Sequence, residues 1–204
     1  MLMGSSNIEL VHGKPDRNPF GISLNEWTVQ WWRWLLSIPK EKSPAADYTG
    51  SNAAVGQREP VFFLCQTIEG VESLPIRRIT IPRGHSIFMP LINWISTLHV
   101  NGETDKDLIK VASQKMDSIN NLELVINGQP YFLDCKKLRY TSRVFQVALP
   151  ESNILDAAPG MTRCCSDGYW LFFKINTDNL RLDTFGSCSS GITRIGVSYD
   201  IHVR

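Results

Sequence analysis

The chain has 204 residues, 43% hydrophobic and 20% charged, with a net charge of +1, which is the composition of a folded protein able to bury a real core. That balance excludes a disordered chain and gives no general electrostatic attraction to nucleic acid or to an anionic membrane. The longest apolar run, IFMPLINWI (Ile87 to Ile95), is too short to span a bilayer, so no membrane span is expected.

Residues 1–22 show no charged region followed by an apolar one. The chain as it stands is therefore expected in the cytoplasm, and exported if a leader precedes it. The 1–22 segment is expected to be a flexible extension, followed by one domain over 23–204. Ser23 opens a helix, because Ser23-x-x-Glu26 has the spacing of a capping box and Ile22 can staple onto Trp27. Pro39 closes it. At 100° per residue, Leu24, Trp27, Trp31, Trp34, Leu35 and Ile38 form one apolar stripe, with Val29, Trp32 and Leu36 beside it. Glu26, Gln30, Arg33 and Ser37 share a narrow polar wedge. Such a helix is expected to be sandwiched, its tryptophans mainly core. A ligand wall would be drawn through Trp32 or Trp34.

The segment 40–59 has small and polar residues and no periodicity, and loops of that length inside a compact domain often carry function. Strands follow: Val61 to Thr67, Ile76 to Pro82 and His85 to Thr97. A second helix starts at the box-like Thr104-x-x-Asp107, with Leu108, Val111, Ala112 and Met116 on one face. Asn127-Gly128 predicts a tight hairpin turn. Further strands are read at Leu138 to Leu149, Tyr169 to Ile175 and Leu180 to Phe185. In the last strand Ile195, Val197, Tyr199, Ile201 and Val203 alternate with Arg194, Ser198, Asp200 and His202, predicting one buried and one wet face. The whole predicts a mainly β, antiparallel sandwich of jelly-roll or immunoglobulin-like type, with the tryptophan helix over one sheet and one inserted helix.

No catalytic motif stands out. Asp47 and Asp167 read as turn aspartates, each followed closely by glycine, and are the best-placed free carboxylates. His12, His85, His99 and His202 are scattered without metal-ligand spacing, so no metal and no cofactor are expected. His85 sits at the start of a core strand, a rim position. Cys65, Cys135, Cys164, Cys165 and Cys188 form neither a disulfide framework nor a zinc pattern and read as reduced thiols. GSCSSG (Gly186 to Gly191) reads as a hairpin loop. The basic cluster Lys136, Lys137, Arg139 and Arg143 around Tyr140 reads as a solvated strand face, and no nucleic-acid partner is expected.

Several pieces taken together resemble an uncharacterised family of bacterial proteins. They are Glu26-Trp27 with Trp31-Trp32-x-Trp34 and Ser37-Ile38-Pro39, Asp47-x-Thr49-Gly50, Gly56-Gln57 with Pro60 to Leu64, Phe88-x-Pro90 with Asn93, Asp167 to Trp170, and Val197-Ser198-Tyr199. The resemblance implies a shared fold, no established activity, and frequent export. This chain carries Cys65-Gln66 where the resemblance implies a pair of small residues.

The sequence thus favours a non-catalytic module for a small-molecule or carbohydrate-like ligand, with the oligomeric state open. The alternative is an enzyme using Glu26, Asp47, Asp167 or His85 as acid or base. The site is expected where the tryptophan helix, the 40–59 loop and the Asp167–Trp170 turn converge. It would be lined by Glu26, Arg33, Trp34, Asp47, Tyr48, His85, Asp167, Tyr169 and Trp170.

Overall fold

The computed structural model describes residues 7–11, 18–68, 70, 72–188 and 194–204. His12 and the tip of the Gly186 to Gly191 loop lie outside them, as does the side chain of Cys188. Eleven strands and two helices are described. The strands are β1 (Ile8–Leu10), β2 (Val61–Phe63), β3 (Ile76–Ile81), β4 (Ser86–Thr97), β5 (Ile119–Ile126), β6 (Gln129–Pro130), β7 (Arg139–Thr141), β8 (Phe145–Leu149), β9 (Gly160–Ile175), β10 (Asn179–Cys188) and β11 (Ile195–Val203). The helices are α1 (Leu24–Leu36) and α2 (Asp105–Asp117).

One sheet runs β1-β9-β4-β2, with β7 and β8 also paired to the long β9, and the other runs β3-β11-β10-β5-β6. The fold is thus a mainly β sandwich with helices, as expected. Most pairings are antiparallel, but β2 joins β4 and β3 joins β11 in parallel. Between β2 and β4 the chain crosses to the other sheet as β3 and returns. Part of the N-terminal extension belongs to the sheet, since Ile8, Glu9 and Leu10 pair with Ile175, Lys174 and Phe173.

Alternation along the strands makes two cores from the first sheet. Phe62, Ile87, Met89, Leu171 and Phe173 face the second sheet, where they meet Ile79, Leu182, Val197 and Ile201. Phe63, Phe88, Trp170 and Phe172 face the other way and pack on α1. The layers are α1, first sheet, second sheet. Eight residues of α1 are buried, including all four of its tryptophans. Trp31 meets Trp170 edge to face with centroids 5.1 Å apart, and Phe88 stacks on Trp170 at 5.0 Å.

Three local expectations need correcting. Asp167-Gly168 is no turn: it lies in the middle of β9, paired with Trp94 and Asn93 of β4. Glycine is needed there because a Cβ on Gly168 would come within 2.6 Å of the Asn93 Cβ. The Asp167 side chain shares the face of Tyr169 and Leu171, and α2 packs there through Arg139. In β11, Ser198 is buried rather than outward, because its N–H donates to the Pro75 carbonyl at 2.9 Å and its hydroxyl to Asp183. Finally, Leu138 to Leu149 is not one strand but two, β7 and β8, both laid along β9. The Asn127-Gly128 turn is formed as predicted, both residues having positive φ, and joins β5 to β6.

Candidate functional site

The 40–59 loop is held by a buried arginine. Arg77 on β3 is 1% exposed, and its guanidinium donates to the carbonyls of Ala45 (3.1 Å), Asp47 (2.6 Å) and Cys65 (2.7 Å) and to the Tyr199 hydroxyl (3.0 Å). Tyr199 in turn donates to the Cys65 carbonyl at 2.7 Å. Backbone carbonyls thus spread the buried charge and tie the loop to β2 and β3. Burial pushes the Cys65 thiol up, outweighing Arg77 at 3.6 Å, so the sulfur is a neutral thiol at neutral pH. Burial likewise pushes Cys164 up to about 12. No disulfide joins Cys65, Cys135, Cys164 and Cys165.

The residues singled out in the sequence lie on separate surfaces. Glu26 forms an ion pair with Arg143 at 2.9 Å, and Arg33 donates to the Gln146 carbonyl at 3.2 Å. The polar wedge of α1 therefore turns to the β7–β8 side. Asp47 accepts from the Thr49 amide and hydroxyl and from the Asn52 amide. Its partial burial works to raise its pKa, but these hydrogen bonds outweigh it and hold the carboxyl below its usual range. Tyr48 is exposed. His85 has its Nδ1 3.0 Å from the Pro82 carbonyl. Asp167 is buried and takes a two-pronged contact from Arg139, at 2.8 and 3.1 Å. Tyr169 and Trp170 belong to the two opposite cores, and Trp34 donates to the Val55 carbonyl at 2.9 Å. No hydrogen bond joins any two of Glu26, Asp47, His85 and Asp167. Three of the four basic residues are paired as well: Arg139 to Asp117 and Asp167, Arg143 to Glu26, and Lys137 to Asp134.

A cavity of about 420 Å³ lies on the other flank of α1. Trp31, Trp32 and Leu35 form one wall, the second half of β4 from Ile92 to Thr97 another, and Ile154, Leu155 and Ala157 close it. Gln66, Thr67 and Ile68 follow β2 and line it where β4 has outrun its parallel partner, which reaches only Phe88. Ala45 brings in the 40–59 loop. Two of the three expected segments therefore meet at a cavity, though through residues other than those nominated. None of the nine nominated side chains lines it.

Several polar atoms in this wall lack protein partners. Three of the α1 tryptophans satisfy their indole N–H on a backbone carbonyl: Trp27 on Pro19, Trp31 on Leu64 and Trp34 on Val55. Trp32 does not. Its Nε1, Trp94 Nε1, Asn93 Nδ2 and Gln66 Oε1 are all buried without a hydrogen-bond partner, and all four residues line the cavity. Buried polar groups are ordinarily paired. Sequence reading noted Gln66 and Asn93 but did not nominate them for the site, although each is a polar residue inside an apolar run, FFLCQT and PLINWI, which was the available signal.

No protein-family model matches the chain, and no curated protein does. Among solved structures, one described as "Structure of PbICP-C in complex with falcipain-2" is similar at 7% identity over 70% of this chain and 98% of that chain. Its TM-score is 0.27, at which the likeness carries no argument.

Proposed function

We propose that the protein is a non-catalytic binding module whose small, mostly apolar organic ligand sits between α1 and the second half of β4. One observation carries this reading: the cavity is walled by tryptophan, leucine and isoleucine, and four of its lining residues hold buried polar atoms with no protein partner. An apolar wall with a few convergent polar groups is the usual form of a ligand pocket, and the volume falls in the usual range. A carbohydrate, with hydroxyls around its whole rim, fits so apolar a wall less well. An acid–base mechanism through Glu26, Asp47, His85 or Asp167 gains no support, because each has its own partner and none lines the cavity.

The test is a thermal melt against naphthalene and its carbonyl- and hydroxyl-bearing derivatives. A binder raises the melt by mass action. Ala157→Phe, at a partly buried position on the wall, should abolish that rise while leaving the unliganded melt nearly unchanged. If no probe raises the melt of the unmodified chain, the reading falls.

A further inference from the structure

Resting on that reading of the cavity, we propose that its occupant is a neutral, mostly apolar organic molecule carrying at least one hydrogen-bond donor and one acceptor. Neutrality follows from the wall. Every described side chain that lines the cavity is uncharged, so an ion would meet no counter-charge among them.

The donor–acceptor pattern follows from Gln66 and the indoles. Gln66 is 5% exposed, and its amide nitrogen lies 3.2 Å from the Pro90 carbonyl and 2.6 Å from the Thr184 hydroxyl. A carbonyl can only accept, so the end of the amide facing Pro90 must be the NH₂ group. This locks the side chain and leaves Oε1 as an acceptor awaiting a donor. Trp32 and Trp94 are unambiguous in the other sense, since an indole nitrogen can only donate. Asn93 has no partner to fix its amide and can serve either need. The wall therefore asks for one donor and at least one acceptor from an otherwise apolar molecule. A site built to pair polar atoms discriminates against analogues that lack them, because those atoms are then left buried and unpaired.

Four bicyclic probes of nearly one shape separate the possibilities in a calorimetric titration of the full chain. They are 2-quinolone, with N–H and C=O adjacent; quinoline, an acceptor alone; naphthalene, with neither; and 2-naphthoate, an anion. The expected order is 2-quinolone tightest, by about tenfold or more over naphthalene, with quinoline between them and 2-naphthoate weakest. Equal binding of 2-quinolone and naphthalene overturns the inference and leaves the cavity standing as an apolar pocket. Tightest binding of 2-naphthoate overturns neutrality. Binding by none of the four overturns both the inference and the functional reading beneath it. Gln66→Met removes the acceptor and should bring 2-quinolone down to the quinoline level. Because Gln66 also bridges Pro90 and Thr184, Trp32→Phe serves where that variant fails to fold. It keeps a ring in the wall, loses the N–H, and should cost 2-quinolone about tenfold while naphthalene is unmoved. An unchanged preference in folded Trp32→Phe also overturns the proposal.

Discussion

The two helices are of equal length, thirteen residues each, and both begin at a hydroxyl N-cap, yet they are held by opposite means. Helix α1 buries eight residues, four of them tryptophan, and three of those indoles donate to backbone carbonyls, with a single ion pair from Glu26 to Arg143. Helix α2 buries only Leu108, Ala112 and Met116. It is instead pinned by charge: Arg139 bridges Asp167 of β9 to Asp117 and to the Ser113 carbonyl, Arg163 reaches Asp105, and Lys115 lies over the Trp94 ring. Even the caps differ. Thr104 and Asp107 form a complete reciprocal capping box, whereas Ser23 accepts from the Glu26 amide while the Glu26 carboxylate goes to Arg143. One helix is a layer of the core and the other is an accessory fastened to it. The cavity opens beside the first, and its β4 wall also carries Trp94, which α2 touches.

The comparison breaks most directly at Trp31. Its side chain is 2% exposed, packs on Trp170, and donates to the Leu64 carbonyl. Trp31→Ala should cost about 3–5 kcal/mol in urea unfolding, the range for large aromatic deletions. A loss under about 1 kcal/mol would show that α1 is not a core layer.

The next effect belongs to α2. Arg139→Met strands the Asp167 carboxylate, which is 1% exposed, without its counter-ion. The expected loss is about 3 kcal/mol, since the cost of removing one partner is that of an uncompensated buried charge. Asp167→Asn should cost less, because Arg139 keeps Asp117 and the Ser113 carbonyl. The reversed order, read from the same urea curves, would mean that α2 is held by its apolar face alone.

How far these features could be read from sequence depends on whether their causes are local. The tryptophan helix, its Ser23 cap and the inward face of β11 were legible because periodicity and capping act within a few residues. The asymmetry of α1 was half legible: its apolar breadth predicted sandwiching, but nothing local says which flank borders a void. Asp167-Gly168 misled because a turn-forming pair also suits a strand crossed closely by Asn93, a contact made by a residue 75 positions earlier in the chain. The cavity was least legible. Trp32, Gln66 and Asn93 belong to three different elements, and an unpaired atom is visible only once all its neighbours are placed. The parallel pairings of β2 and β3 were hidden for the same reason.

The smallest expected effect sharpens the contrast between the caps. Thr104→Ala should cost about 1 kcal/mol at neutral pH, and Ser23→Ala the same or less, because both remove a hydroxyl acceptor from a helix start. They should part company on acidification. In α2 the Asp107 carboxylate accepts from the Thr104 hydroxyl and amide, and these bonds, the hydroxyl foremost, hold its pKa below the usual carboxylate range. A depressed carboxyl pKa contributes stability that is present above the unfolded value of 3.8 and lost as pH falls through the lower folded value. Protonation of Asp107 then removes half of the box, so part of what Thr104 contributes is already gone in acid. The cost of Thr104→Ala should therefore shrink as pH drops below 3.8, and that of Ser23→Ala, whose cap hydroxyl takes an amide and no carboxylate, should stay level. Urea unfolding of both variants at neutral pH and at several values below 3.8 measures this directly. If the two costs fall together, the Asp107 half of the box contributes nothing, and α2 is fastened by Arg139 and its apolar face without help from its start.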